Sequence, residues 1–442
     1  MTKYDTYKDS GIEWIGEIPV NWRLTRMKFL GDAFGGVTYT PNDITENEND
    51  FLVLRSSNIQ NGLLSLSDNV YINAEIPEKK IVRKGDILIC SRNGSKHLIG
   101  KNICIDEKLE GETFGAFMMV FRSDNWRFLS HFFNSPIFKS QSGLFLTSTI
   151  NQLTSGTLNN FYLAIPESRD EQTHIANYLD KKTTEIDMLI TKKEQLIKLL
   201  EEERTTMINQ AVTKGLDPNV PMKDSGIDWL GEIPEHWESR KIGHAFDRIG
   251  SGTTPESGNP LYHENGTINW LNTGDLNDGV LFSCGKKITE KAIDDYSSLK
   301  KFPSGSLVVA MYGATIGKTA IVKFETTTNQ ACCVLCENST IGVEFLQQWI
   351  IVNKNHIINL AIGGGQPNIS QYIIKDIRVC CPVIYEQYEI VKYIKKIASN
   401  MDGIISKAQQ EIDLLKEYKT ALISEVVTGK VDVRKQVSKG QL

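Results

Sequence analysis

The residues of this chain best suited to chemistry stand in glycine-flanked turns that follow short apolar runs. Gly313-Ala-Thr-Ile-Gly317-Lys318-Thr319 comes after the run Leu307 to Met311. A phosphate-cradling loop needs four residues between its glycines, so that successive backbone N–H groups curl around the β-phosphate, and a hydroxyl after the lysine for magnesium. This turn has three. The matching stretch Gly94-Ser-Lys-His-Leu-Ile-Gly100-Lys101-Asn102 has five and lacks the hydroxyl. Nucleotide binding is therefore not expected. What the turns do offer is hydrogen-bonding ends turned toward a partner: Tyr312, Thr315 and Lys318 in one, Arg92, Asn93, Ser95 and Lys96 in the other. Arg and Lys suit guanine O6 and N7, Asn suits adenine, and Lys or a backbone N–H suits phosphate.

Further polar turns recur at equivalent places. Thr38 and Tyr39 follow Gly35-Gly36 as Thr253 and Thr254 follow Gly250-Ser-Gly; Ser57 and Asn58 match Thr273 and Asp275; Asn151, after Thr149-Ile150, matches Gln366-Pro367-Asn368. All of these are candidate partner contacts, with a plain surface loop as the alternative for each. Catalytic patterns are missing. There is no Asn-Pro-Pro-Tyr or Asp-Pro-Pro-Tyr for amino methylation and no dinucleotide glycine loop, and the seven histidines show no HExxH spacing. Glu78-Lys79-Lys80 could close a nuclease motif, but only Asp68 could serve as its partner acid, without supporting pattern. Cys332, Cys333 and Cys336 lack a fourth ligand nearby, so no metal site is expected. The eight cysteines read as reduced, buried thiols of a cytoplasmic protein.

A charged fraction of 23% with 40% hydrophobic residues is ordinary globular material for two or three domains. The net charge of -5 does not advertise nucleic-acid binding: residues 1 to 169 hold nineteen acids against eighteen bases, and 170 to 217 ten against seven. A nucleic-acid surface must be a local patch. No run approaches the roughly 18 apolar residues of a membrane span, and the start MTKYDTYKDSG has no apolar segment of a secretory signal.

The elements that position these turns come in two copies. Residues 8 to 22, KDSGIEWIGEIPVNW, return at 223 to 237 as KDSGIDWLGEIPEHW, identical at eleven of fifteen positions and offset by 215. At the same offset Ile208 to Asp217 matches Ile423 to Asp432. The chain is a tandem duplication ordered globule, helix, globule, helix, and the end of the second copy is expected beside the start of the first. Between these fixed points, residues 23 to 165 and 238 to 380 share a layout but few identities. Strands are expected at Phe51 to Leu54, Asp86 to Cys90 and Phe117 to Arg122, and at Ile268 to Leu271, Ser306 to Tyr312 and Ala331 to Leu335. Helices are expected at Trp126 to Asn134 and Val343 to Asn353. These are mixed α and β domains.

Glu171 to Ala211 contains no Gly and no Pro, and its apolar residues repeat at spacings of four and three: Ile175, Leu179, Ile186, Leu189, Leu196, Leu200, Met207. The second copy carries Ile390, Ile394, Ile397, Met401, Ile404, Ala408, Leu415, Tyr418 and Leu422. Both read as coiled-coil seams. The two helices are expected to pair with each other, antiparallel and partly solvated, since Lys182, Lys193, Glu203 and Glu411 interrupt the seams. The expected division is 1–169 and 218–384 for the two globules, with 170–217 and 385–442 for the long helices, the connector and the tail. The fold class is α+β with an internal pseudo-two-fold.

The paired SGIxWxGEIPxxW stretches, the GATIGK turn at Gly313 to Lys318 and the Glu-Gln opening each helix (Glu171-Gln172, Glu386-Gln387) resemble the DNA-specificity subunit of type I restriction-modification systems over essentially the whole chain. The first globule departs from that pattern in lacking the clean Gly-x-Thr-Ile-Gly-Lys turn. The resemblance implies two target recognition domains, each reading half of a split, asymmetric site on double-stranded DNA, with helices that fix the gap. It implies a subunit that catalyses nothing and binds no cofactor. Two methyltransferase subunits would bring S-adenosylmethionine, and translocating restriction subunits ATP and Mg2+.

Overall fold

Without Gly or Pro to stop it, the first apolar repeat forms one unbroken helix of 46 residues, Arg169–Lys214. The second forms a helix of 44, Ile384–Val427, which runs through Gly403. The computed structural model describes residues 2–13, 15–60, 62–144, 151–338, 340–362 and 367–435. It divides into two compact units, Met1–Glu194 with Gln409–Leu442, and Gln195–Ala408. Each unit thus holds one globule and about half of each long helix.

In the first unit a four-stranded antiparallel sheet runs in the order Asn102–Cys104, Ile87–Cys90, Met118–Arg122, Asp32–Gly35. Side chains alternate across it with the period of two that strands impose. Leu88, Cys90, Met118 and Val120 pack toward Leu52, Leu54 and Phe114 of a smaller sheet, ordered Thr113–Phe114, Phe51–Leu54, Tyr71–Ile72, Ile44–Thr45. On the other face Phe121 meets Phe133 of the helix Trp126–Phe133, and Phe133 meets Phe138 of the helix Pro136–Leu144. Asp86, at the root of the sheet, takes two hydrogen bonds from Arg122, at 2.8 and 2.7 Å, which raise the guanidinium pKa further.

The second unit repeats that order strand for strand, Thr319–Val322, Leu307–Ala310, Cys332–Asn338, Phe246–Gly250, and adds Gly279–Leu281 in parallel at one edge. The duplication therefore extends through the globules, where identity has faded. The expected strands and both expected helices are present, all within two residues of their expected ends except the strand expected at Ala331 to Leu335, which runs three residues further as Cys332–Asn338. Along Cys332–Asn338 the alternation sends Cys333 toward the helix side and Cys332 and Cys336 to the opposite face. These three thiols cannot converge on one ion. Burial pushes Cys332, Cys333 and Cys381 up to about 12, so thiolate is scarce near neutral pH. Iodoacetamide at pH 8 is expected to leave these three unlabelled in the native chain and to label them in urea. Peptide mass spectrometry reads the difference, and rapid native labelling of Cys333 would contradict the packing described.

The duplicated words turn out to be the two sides of one joint. Trp22, fully buried, donates its indole N–H to Glu171 Oε1 at 3.0 Å; Trp237 donates to Glu386 Oε1 at 3.1 Å. Gln172 Nε2 donates to the Pro166 carbonyl at 2.6 Å and Gln387 Nε2 to that of Pro382 at 2.8 Å, tying each helix start to the strand before it. At their far ends the helices stop on glycines in the left-handed region, Gly215 (φ 78°) and Gly429 (φ 73°), as helix C-termini favour. Within the first unit Thr2 bridges to Asp432 and the Tyr7 hydroxyl donates to the Gly429 carbonyl at 3.1 Å, so the end of the second copy does lie against the start of the first.

The helices pair antiparallel in both units. In the first, Asp187 bonds Lys419 at 2.7 Å and Lys193 bonds Glu411; in the second, Arg204 bonds Asp402 at 2.6 Å. Two of the seam interruptions, Lys193 and Glu411, are thus partners. Ile175, Leu179, Ile186, Ile390, Ile394, Met401 and Leu422 are buried as expected, with Leu200, Met207, Ile397 and Leu415 partly so. Leu189, Leu196 and Ile404 stand off the seam, 48%, 43% and 47% exposed. Ile190, buried, and Ile197 and Ile405, half-buried, take the inward positions instead. The reason is geometric. The first helix docks through Ile175 at one end and Ala211 at the other, roughly ten turns of 3.6 residues apart. A straight stripe joining them passes between Leu189 and Ile190 and on through Lys193, Ile197 and Arg204.

Candidate nucleic-acid interface

In the first unit, sequence-distant turns converge at one end of the main sheet. They line a cleft of about 940 Å³ that includes Thr38, Tyr39, Ser57, Arg92, Asn93 and Asn151. Six of the nine candidates from this globule thereby meet in one place. Ser95 and Lys96 are exposed on the turn just beyond Gly94. The lining also includes residues not picked out as candidates from sequence, among them Arg55, Ser56, Asp68, Phe117 and Gln152.

The turns are built by side chains that lock their own backbone. Asn93 is used at both ends, its Nδ2 donating to Ser56 Oγ at 3.0 Å and its Oδ1 accepting from the Ser95 N–H at 2.9 Å. Asn151 Nδ2 donates to the Gly94 carbonyl at 3.1 Å, and Lys101 Nζ donates to the carbonyls of Ser56 and Ile59 at 2.5 and 2.8 Å. Thr40, after Tyr39, donates its N–H to Asp43 at 2.6 Å, and that bond holds the Asp43 carboxyl below its usual range. Asn58 is wholly buried: its Oδ1 accepts from the Arg55 N–H at 2.9 Å and its Nδ2 donates to the Ser65 carbonyl at 3.0 Å. Its amide closes the turn that presents Ser57. Arg92 differs from all of these. Its N–H is fixed to the Phe117 carbonyl at 3.0 Å and its guanidinium lies 5.2 Å over the Phe117 ring. Among the described residues that guanidinium has no ion-pair partner.

The second unit places its candidates by the same backbone pattern. Tyr312 bridges to Asn368 as Arg92 bridges to Gln152, and the Ile369 N–H bonds the Met311 carbonyl as Leu153 bonds Ser91. Asp275 closes its turn through the Asn272 N–H at 2.9 Å, matching Asn58. Thr253 and Thr254 are held by a tight approach at Gly252, where a Cβ would lie 1.8 Å from the Thr328 carbonyl oxygen. Thr254 Oγ1 donates to Gln330 at 2.7 Å and Thr315 Oγ1 to the Tyr312 carbonyl at 2.8 Å. Thr273 and Lys318 are partly exposed, and Tyr312 is 44% exposed. Gln366, Thr149 and Ile150 lie outside the described residues.

Such a surface is equipped for non-covalent contact. Among the described residues no group of three or more His, Cys, Asp or Glu is placed to hold a metal ion, and no helix is long and apolar enough to cross a membrane. Its means are a forked cation, amide and hydroxyl ends and exposed aromatic rings on fixed turns, which are the means of reading base edges.

Comparison with known proteins gives the same picture. The family model for the type I restriction modification DNA specificity domain matches twice, over residues 19–199 and 234–414. The chain is 24% identical to the Type I restriction enzyme EcoKI specificity subunit of Escherichia coli K12, over 94% of this chain and 90% of that protein. It is also 24% identical to the MjaVIII specificity subunit of Methanocaldococcus jannaschii, over 94% of each. Its fold is shared by a chain solved in work on complex assembly and conformational transition of the type I R-M system (TM-score 0.72, 15% identity, 94% of this chain and 99% of that one). The HsdS subunit of Thermoanaerobacter tengcongensis is also similar (TM-score 0.59, 16% identity, covering 94% and 98%).

Proposed function

The chain belongs to the type I restriction-modification DNA specificity family, and we propose that its two globules each read one half of a split, asymmetric site on double-stranded DNA. The observation that carries this is the equivalence of the two candidate surfaces. One set of turns closes the same end of the same four-stranded sheet in both units, yet Arg92, Phe117 and Asn93 in one face Tyr312, Ala331 and Gly313 in the other. A common frame with unlike reading residues gives two unlike half-sites. Half-sites on one face of a duplex want centres about one turn, roughly 34 Å, apart, a separation that rigid helices enforce better than loops.

The chain is non-catalytic. It acts as the specificity subunit, and methylation and cleavage come from partners: two methyltransferase subunits supplied with S-adenosylmethionine, and restriction subunits using ATP and Mg2+, all in the cytoplasm. The excess of acids over bases suits that division, because phosphate neutralisation can come from the methyltransferase surface while this chain supplies base contacts. The helix halves and the Trp–Glu joints form the frame those partners hold.

Single-molecule methylation sequencing of cells with the gene present and with it deleted, the methyltransferase gene left intact, tests the reading. A bipartite adenine-methylated motif is expected to vanish on deletion. An unchanged methylome would reject it.

A further inference from the structure

Several polar groups of the first cleft already have partners inside it. Asn93 and Asn151 hold the turn, Lys101 holds the carbonyls of Ser56 and Ile59, and Arg55 reaches Asp68 at 2.9 Å. Arg92, unlike Arg55, has no ion-pair partner among the described residues. Its backbone is pinned from both sides, by the Phe117 carbonyl and by the bridge to Gln152, while its guanidinium rests on the Phe117 ring. Phe117 is itself 58% exposed, an uncommon state for a large aromatic at the start of a core strand. A ring beneath a guanidinium fixes its plane and leaves the N–H fork pointing outward, with little freedom to lose on binding.

We infer that Arg92, propped on Phe117, selects a guanine in the half-site read by the first globule, through paired hydrogen bonds to guanine O6 and N7. The assignment rests on the DNA-reading function proposed above. A base edge fits better than phosphate because Asp68, its side chain 64% exposed, lines the same cleft. Paired with Arg55, that carboxylate offsets a positive charge that would draw a phosphate, and beside a guanine reader its free lone pairs can accept from a cytosine N4 amino group. The second unit lacks the device: Tyr312 occupies the position of Arg92, and Ala331, whose carbonyl accepts from Met311, that of Phe117. The Arg92–Phe117 reader therefore acts on the first half-site alone.

The test uses the whole system in cells and then the purified methyltransferase complex. Arg92→Ala and Arg92→Lys are each expected to relax the methylated motif at one G·C pair of one half-site, with the other half unchanged. Arg92→Lys keeps charge and stem and loses only the fork, so it guards against a variant that merely fails to assemble. With the wild-type complex, replacing that guanine by 7-deazaguanine removes N7 and is expected to lower methylation on the order of ten- to a hundred-fold, the range of one bidentate base contact. Two results overturn the assignment: an unchanged motif methylated less in Arg92→Lys, as for a phosphate contact, or no 7-deazaguanine position in that half-site that matters. A wild-type gene that yields no motif at all would instead sink the DNA-reading function itself.

Discussion

Exchanging residues 238–380 for the corresponding stretch of a relative with a different target changes one half of the methylated site completely and leaves the other half as it was. The structure gives this exchange clean ends. Glu238–Lys241 pairs antiparallel with Arg378–Cys381, with Glu238 opposite Cys381 and Ser239 opposite Cys380. The globule enters and leaves through two neighbouring strands of one ribbon, and the graft points sit side by side. The Trp–Glu joint and the bond from Gln387 to the Pro382 carbonyl lie just outside: Trp237 before the ribbon, Glu386 and Gln387 after it. The first globule has the same gateway, Trp22–Arg26 against Tyr162–Pro166.

The size of the effect follows from what changes. All candidate readers of the second unit lie inside the exchanged segment, and each wrong base pair costs roughly 1–3 kcal/mol of discrimination. Several at once remove recognition of the old half-site altogether. The frame does meet new demands, since Ile242, Phe345, Trp349, Val379 and Cys380 of the exchanged segment pack into one core with Ala211, Val212, Ile390 and Ile394 of the long helices, and a donor that keeps apolar residues of similar size there meets them. Methylome sequencing of the chimera reads both halves together. A chimera that retained the old motif, or changed both halves, would remove the modular reading.

Much of this architecture was legible in the residues because the signals were local and repeated. Missing Gly and Pro marked the helices, apolar runs of four or five marked the strands, and the 215-residue offset located the joint before its chemistry was known. The site was legible only as a set of turns. Asn58 and Asp275 looked like readers, but an Asn or Asp that ends a short turn satisfies the backbone N–H three residues earlier. A hint was available: both copies keep an acceptor there, while a reader should differ. Phe117 was hidden for the opposite reason. It opens an apolar strand run, and only the fold shows that it stops short of the core and supports Arg92. The helix seam slipped at Leu189 and Leu196 because a heptad count gives no weight to Lys193 and Arg204, whose partners lie on the other helix.

Replacing Glu171 with Ala is expected to destabilise the first unit by about 3–5 kcal/mol, well beyond the cost of the same change at Glu386. Glu171 is 8% exposed, and its carboxylate accepts from the Tyr4 hydroxyl at 2.8 Å, Asn21 Nδ2 at 2.9 Å and Trp22 Nε1 at 3.0 Å. Burial first, then the bond to Glu171, push the Tyr4 hydroxyl above its usual range, so it stays protonated as a donor. Trp22 and Tyr4 are 0% and 5% exposed, so their donors cannot turn to water once the acceptor is gone, and each orphaned group costs about 1–3 kcal/mol. Glu386 has one buried donor, Trp237; its other partner, His236, is 49% exposed and can be hydrated. Its removal should cost about 1–2 kcal/mol. Urea unfolding followed by hydrogen exchange, read separately on peptides from the two units, distinguishes the variants. Equal losses at both positions would mean that the two joints bear the same strain and that the extra donors on Glu171 contribute nothing. The expected inequality would instead show that a motif repeated almost letter for letter holds one globule more firmly than the other, through Tyr4 and Asn21, a residue inside the repeated motif itself at a position where the second copy has His236.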